Sequence, residues 1–186
     1  MSASKILQAA NFAAMKHTDQ RRKVGDIPYI NHPIGVANFL TEIGGVDDVL
    51  AIQGALLHDT VEDTDTTFEE IESIFGKEVA DVVREVTDDK NLNKAERKKQ
   101  QVEHAKHASY QAKLIKLCDK LYNCRDIQKQ PPSFWDPVRC QGYFVWSRAV
   151  INGVRGTNKP LEDALDEVFA STFSMNGETY PSLPEG

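Results

Sequence analysis

From Val49 to Leu57 the chain reads VLAIQGALL, a stretch without charge, and it runs straight into His58-Asp59-Thr60-Val61-Glu62-Asp63. A segment apolar on nearly every side is a helix buried all round, not a surface helix with one apolar stripe. The fold must therefore wrap this helix on all sides. It must also accommodate His58, Asp59, Glu62 and Asp63 at the helix end, where burying an unpaired charge costs roughly several kcal/mol. A divalent cation offsets that cost, so the run reads as a built metal site.

The remainder of the chain is helix after helix. Ile6, Ala9, Ala10, Ala13, Ala14 and His17 recur at helical spacing and predict an amphipathic helix up to about Gln20. Arg21 to Pro28 mixes charge with Gly and Pro, which predicts an exposed loop. Asn31-His32-Pro33 predicts a helix start, with Asn as cap and Pro in the first turn, and this helix runs to about Glu42. After Gly44-Gly45 the buried helix is expected from about Asp47 to beyond His58. Asp65-Thr66-Thr67 opens a helix at Phe68, and Gly76 separates it from the next. Asp88 to Asn93 is a polar break before a charged, solvent-facing helix over Lys94 to His107. Ala112 to Ile127 forms a second central helix, ended by Gln130-Pro131-Pro132. Asp136 to Val154 and Leu161 to Phe169 complete the pattern.

No stretch of β-branched residues alternates over a useful length, so the expected class is all-α, with about eight to ten helices and no significant sheet. Residues 1–170 are expected to form one domain. Residues 171–186, rich in Ser, Gly and Pro, are expected to be a flexible tail. At 186 residues the chain is long enough to bury a core without disulfides. Cys118, Cys124 and Cys140 have no CxxC spacing and read as reduced packing residues. The net charge of −6 argues against bulk binding to nucleic acid or anionic membrane, while leaving room for one anionic ligand in a local basic patch. With no signal-peptide core and no bilayer-length apolar run, the protein is expected to be soluble and cytoplasmic.

Spacing assembles a candidate site. If the helix continues through His58, Glu62 shares its face, and Asp63 stands in the same relation to Asp59. Adjacent residues point about 100° apart on a regular helix, so His58 and Asp59 reach one ion only if it lies between them. His32, opening an earlier helix, is a third ligand candidate. Asp119 is the fourth, because it interrupts an apolar helical pattern and has Asn123 one turn later. Mixed imidazole and carboxylate donors with open positions suit Mn²⁺ or Fe²⁺ better than a closed structural zinc site. Such an ion lowers the pKa of its water. Each residue alone also fits a plainer role. His17, His104 and His107 read as solvated or boundary packing residues, Asp119 as a partner of Lys116 or Lys120, and Arg21 to Lys23 and Arg97-Lys98-Lys99 as solubilising charge.

HDTVED has the HDxxED form of the HD hydrolase signature. With YINHP upstream, VTDDK, KLCDKLYN and RGTN downstream, the chain resembles the RelA/SpoT-type HD hydrolases over about residues 3–170, and within them the small stand-alone metazoan SpoT homologues. The resemblance implies an HD-domain helical bundle in which His32, His58, Asp59 and Asp119 hold one Mn²⁺, ahead of Fe²⁺ or Zn²⁺. It implies that Glu62 and Asp63 activate and orient the attacking water. It also implies that Arg22, Lys23, Lys94, Asn123, Arg139 and Tyr143 contact a purine nucleotide substrate. The implied activity is removal of pyrophosphate from the 3′ position of guanosine 3′,5′-bis(diphosphate) (ppGpp), leaving GDP, as in starvation or stringent-type responses. The same resemblance leaves open an NADPH 2′-phosphatase using the same site. A catalytically silent nucleotide-binding module is the reading from another class, against which the intact acids weigh.

Overall fold

The computed structural model describes residues 2–184, and these form ten helical segments and one β-hairpin. The helices are α1 (Ser2–Lys16), α2 (Asn31–Glu42), α3 (Val49–Leu57), α4 (Thr60–Asp63), α5 (Phe68–Phe75), α6 (Lys77–Val86), α7 (Lys94–Ala105), α8 (Tyr110–Lys129), α9 (Pro137–Asn152) and α10 (Lys159–Ala170). The all-α expectation holds. Side chains set most of the starts: Asp48, Thr67, Ser109, Asp136 and Asn158 each accept a hydrogen bond from a first-turn backbone N–H. Asn93 and Glu96 form a reciprocal capping box on α7. Asn31 is not the cap expected of it. Ile30 occupies that position with no side-chain hydrogen bond, and Asn31 is already helical.

Helices α3 and α8 form the centre. From Ala51 to Leu57 every residue of α3 is buried, because α1, α2, α6 and α8 pack around it. Gly54 makes this possible. A Cβ there would lie 2.8 Å from both Ile115 Cδ1 and Val82 Cγ1, so only glycine lets α3 approach α8 and α6 this closely. Helix α8 contributes Leu114, Leu117, Cys118 and Leu121, all fully buried, and touches α2, α3, α6, α9 and α10. The three cysteines are free and buried, as expected of packing residues.

Two expectations change. The buried helix does not run unbroken past His58, since α3 ends at Leu57 and α4 begins at Thr60. The Thr60 hydroxyl caps the break by donating to Leu57 O at 2.7 Å. The segment after residue 170 is not loose as far as it is described. Thr172–Met175 and Glu178–Pro181 pair antiparallel, Phe173 packs 5.8 Å from Phe144 and stacks on Tyr180, and Ser182 is buried. The turn is Asn176-Gly177, both at positive φ, which is the two-residue hairpin chemistry that matches strand twist. That dipeptide was visible in the sequence as a hairpin signal. Met1 and residues 185–186 lie outside the described part.

The RGTN segment is architectural. Asn158 caps α10 and donates to Gly44 O at 2.9 Å, and Gly156 N donates to Glu162 Oε1 at 2.6 Å. Among the described residues no helix is long and apolar enough to cross a membrane.

Candidate active site

The break between α3 and α4 builds the centre of the site. His58 keeps helical dihedrals but Asp59 turns to φ −101°, ψ −1°, so the two adjacent side chains converge instead of diverging. His58 Nε2 lies 3.0 Å from Asp59 Oδ2. Helix α2 brings His32 Nε2 to 3.4 Å from the same carboxylate oxygen, and α8 brings Asp119 Oδ1 to 3.0 Å from His32 Nε2 and 3.6 Å from His58 Nε2. All four residues singled out from spacing thus meet in one place.

Their chemistry fits a divalent cation. The His58 Nδ1 lies 2.7 Å from Ala55 O, which sets the ring orientation and aims Nε2 into the cluster. That Nε2 is buried and, among the described residues, has no partner in hydrogen-bond geometry. His32, His58 and Asp59 offer donor atoms all within 4.8 Å of one another. Burial pushes His32 toward its neutral, ligating form, whereas at His58 burial is overcome by Asp59 and Asp119, which raise it, so a divalent ion would displace a proton there. Burial also works to raise Asp59 and Asp119, but the imidazoles beside them, and Lys120 beside Asp119, overcome it and hold both carboxylates below the usual range. Anionic carboxylates next to imidazole nitrogens are the donor set a hard or borderline divalent ion takes. Tyr29, in the YINHP run, was not singled out from sequence. Its hydroxyl donates to Asp59 Oδ2 at 2.5 Å, orienting the carboxylate.

Glu62 and Asp63 flank this cluster from α4. Glu62 Oε1 accepts from Asp88 N at 2.8 Å, and Asp88 is itself clamped by Gln101 Nε2 at 2.9 and 2.8 Å. Burial, reinforced by Asp59, Asp88 and Asp63 and opposed by the Asp88 N–H, raises the Glu62 carboxyl to about 7. A carboxyl poised near neutrality suits proton transfer at physiological pH. Burial and the Asp59 charge also raise Asp63.

Two adjoining cavities open from here. One, of about 560 Å³, is walled by Arg22, Tyr29, Asp63, Tyr122, Trp135 and Tyr143. The other, of about 340 Å³, contains the metal-type cluster and a cationic wall of Lys23, Lys94, Arg97, Lys98, Lys116 and Arg139. Asn123 and Tyr143 border both cavities, so every residue expected to touch substrate lies here. Arg22 is fixed by Asp126 at 2.5 Å and Asn123 Oδ1 at 3.1 Å. Arg97 and Lys98 turn inward, contrary to their reading as solubilising charge, because Val102 and Ala105 dock α7 on the core and rotate that face to the cavity. Lys99 alone of that triplet faces outward, toward Glu103. Burial lowers Lys23 and Lys98, and Lys94 and Arg139 lower both further. Crowded cations of this kind are relieved by a polyanion. Trp135, in a loop that carried no sequence signal, and Lys120, paired with Asp119 at 2.9 Å, complete the lining.

A family model for the HD domain matches residues 9–146. The chain belongs to the HD domain family. Within that family it is 57% identical, over 90% of its length and 94% of theirs, to guanosine-3′,5′-bis(diphosphate) 3′-pyrophosphohydrolase MESH1 of Danio rerio, and 55% identical at the same coverage to the Homo sapiens protein of that name. A solved structure, described as a metazoan orthologue of SpoT that hydrolyses ppGpp and plays a role in starvation responses, superposes with a TM-score of 0.86. It is 49% identical, covering 89% of this chain and 93% of that one.

Proposed function

We propose that this HD domain hydrolyses ppGpp to GDP and pyrophosphate, using one Mn²⁺ held by His32, His58, Asp59 and Asp119. The observation that carries the reading is the placement of an acid pair beside an imidazole and carboxylate cluster, with a wall of cations across the same cavity that have no carboxylate partner among the described residues. The similarity to proteins named as ppGpp 3′-pyrophosphohydrolases selects the substrate within that chemistry.

A divalent ion bound there acidifies water and offsets charge on a phosphoryl oxygen. Glu62, half ionised near pH 7, takes the proton of the attacking water, and Asp63 orients that water. The phosphorus bonded to the ribose 3′ oxygen gains the water oxygen and loses the 3′ oxygen, which leaves as the hydroxyl of GDP after receiving a proton. Lys23, Lys94 and Arg139 neutralise the diphosphate groups, while Arg22, Tyr143 and Asn123 face the nucleoside. The 560 Å³ cavity, with Tyr29, Tyr122 and Trp135 around it, offers ring faces to a purine. We place the activity in the cytoplasm, on a small nucleotide rather than a nucleic acid or a membrane, within one domain that takes in the C-terminal hairpin.

Product analysis tests this. With Mn²⁺ the purified protein is expected to release equimolar GDP and pyrophosphate from ppGpp, and chelation is expected to stop it. Phosphate release from NADPH with ppGpp untouched would move the substrate assignment to the 2′-phosphate ester. No turnover of either nucleotide by metal-loaded protein would reject the enzyme reading.

A further inference from the structure

His17 was expected at a boundary and is instead buried, with 1% of its surface exposed. Packing alone does not account for it, since an imidazole in a dry environment carries a desolvation cost that an apolar side chain of similar volume avoids. Its ring lies 5.0 Å from that of Tyr29, and its Nδ1 is 2.7 Å from Gln20 Oε1. The other end of the same amide, Gln20 Nε2, donates to Asp63 Oδ2 at 3.0 Å.

The donor and acceptor order of this chain is forced. An ionised carboxylate only accepts, so the Gln20 amide must present its NH₂ to Asp63 and its carbonyl to His17, and His17 Nδ1 must carry the proton. His17 Nε2 is then left buried without a partner among the described residues. Loss of hydration at that nitrogen costs roughly 1–3 kcal/mol, against which the bond from Nδ1 to the Gln20 amide is set. The backbone of Gln20 is pinned as well, since its N–H donates to His17 O at 3.0 Å and its C=O accepts from Tyr29 N at 2.9 Å. A glutamine clamped at three points has little freedom beyond holding the one group it reaches.

We propose that His17 and Gln20 are positioning residues for Asp63: the buried imidazole locks the Gln20 amide, and the amide fixes the carboxylate rotamer from behind. The inference rests on the reading that Asp63 takes part in the hydrolysis. Among the described residues neither side chain hydrogen-bonds to the cationic wall of Lys23, Lys94, Arg97, Lys98, Lys116 and Arg139 or to the metal-type cluster, so the relay acts on turnover and not on diphosphate or metal capture.

Steady-state ppGpp hydrolysis with Mn²⁺ tests it, with Mn²⁺ affinity and thermal stability measured on the same variants. Gln20→Ala is expected to lower kcat about tenfold, the scale of one lost orienting hydrogen bond, with KM and Mn²⁺ affinity changed by less than about twofold. His17→Phe, which keeps the ring but removes the donor, is expected to match it, and His17→Asn, which restores a donor, to recover most of the loss. Gln20→Ala is expected to add nothing in an Asp63→Asn background. An unchanged kcat in Gln20→Ala, or an equal loss with and without the Asp63 carboxylate, would overturn the relay while leaving the role of Asp63 intact. Full turnover by Asp63→Asn would instead remove Asp63 from the chemistry. Because Gln20 is only half-buried, its variant keeps the test decisive even where His17→Phe fails to fold.

Discussion

The backbone N–H of Asp88 donates to Glu62 Oε1 at 2.8 Å, so the loop between α6 and α7 holds the carboxylate that α4 supplies. The same loop is clamped through the Asp88 side chain by Gln101 of α7, the helix that also carries Lys94, Arg97 and Lys98. The proposed general base and the cationic wall are thereby positioned by one contiguous unit.

Glu62→Gln keeps the hydrogen bond from Asp88 and removes the base. Turnover is expected to fall by about 10²–10⁴, with bound Mn²⁺ retained at wild-type stoichiometry. Retained turnover would assign the base elsewhere.

Ionisation of Glu62 makes activity and stability depend on pH in opposite senses. With its carboxyl raised to about 7, the base is protonated and idle below that value, so kcat/KM is expected to fall as pH drops through neutrality. In the metal-free protein the raised value means that the folded state binds the proton more tightly than the unfolded state. Stability from this group is therefore greatest below the ordinary value of 4.5 and is lost as pH rises through about 7. Thermal melts in chelator are expected to show Glu62→Gln more stable than wild type at pH 8, by on the order of 1–3 kcal/mol, and equal to it at pH 4.

Asp119→Ala removes a carboxylate that touches both imidazoles and is expected to lose metal and activity together. Wild-type protein at Mn²⁺ concentrations about 100-fold above Kd is expected to gain about 2.7 kcal/mol of stability, and the variant none. Melting curves with and without Mn²⁺ separate the two.

Gly35 lies on α2 one turn after His32, and a Cβ there would fall 2.0 Å from Tyr122 Cε2. The Tyr122 ring also packs edge-on against His32, at 4.9 Å between centroids. Gly35→Ala must displace the ring or the helix, and is expected to cost about 1–3 kcal/mol in chemical denaturation and to weaken Mn²⁺ binding through His32.

Arg139 lies in the cationic wall, 4.6 Å over the Trp135 ring. Arg139→Ala is expected to raise KM about tenfold or more and to flatten the dependence of KM on salt, with metal content unchanged.

Much of the fold was legible because helical periodicity and punctuation are local. The bounds of α2 fall where Asn31 and Glu42 suggested, and the starts at Phe68 and Lys94 follow from Thr67 and Asn93 as caps. The hairpin was missed because its signal is two residues, Asn176-Gly177, inside a segment whose composition resembles a tail. His17 was misplaced because its surroundings come from the Tyr29 loop and α4, which no window around residue 17 contains.

Residue type and spacing alone establish that an uncharged helix is followed by His58, Asp59, Glu62 and Asp63, that the chain is helical, and that His32 and Asp119 stand on other helices as suitable donors. Both act over a few turns of backbone. Packing between distant segments sets the helix break at Asp59 that makes neighbours converge, turns Arg97 and Lys98 to the cavity, and brings Asp88 and Gln20 to the carboxylates of Glu62 and Asp63. Those outcomes depend on how α2, α4, α7 and α8 pack around α3, and close packing of distant segments leaves no periodic trace in any one of them.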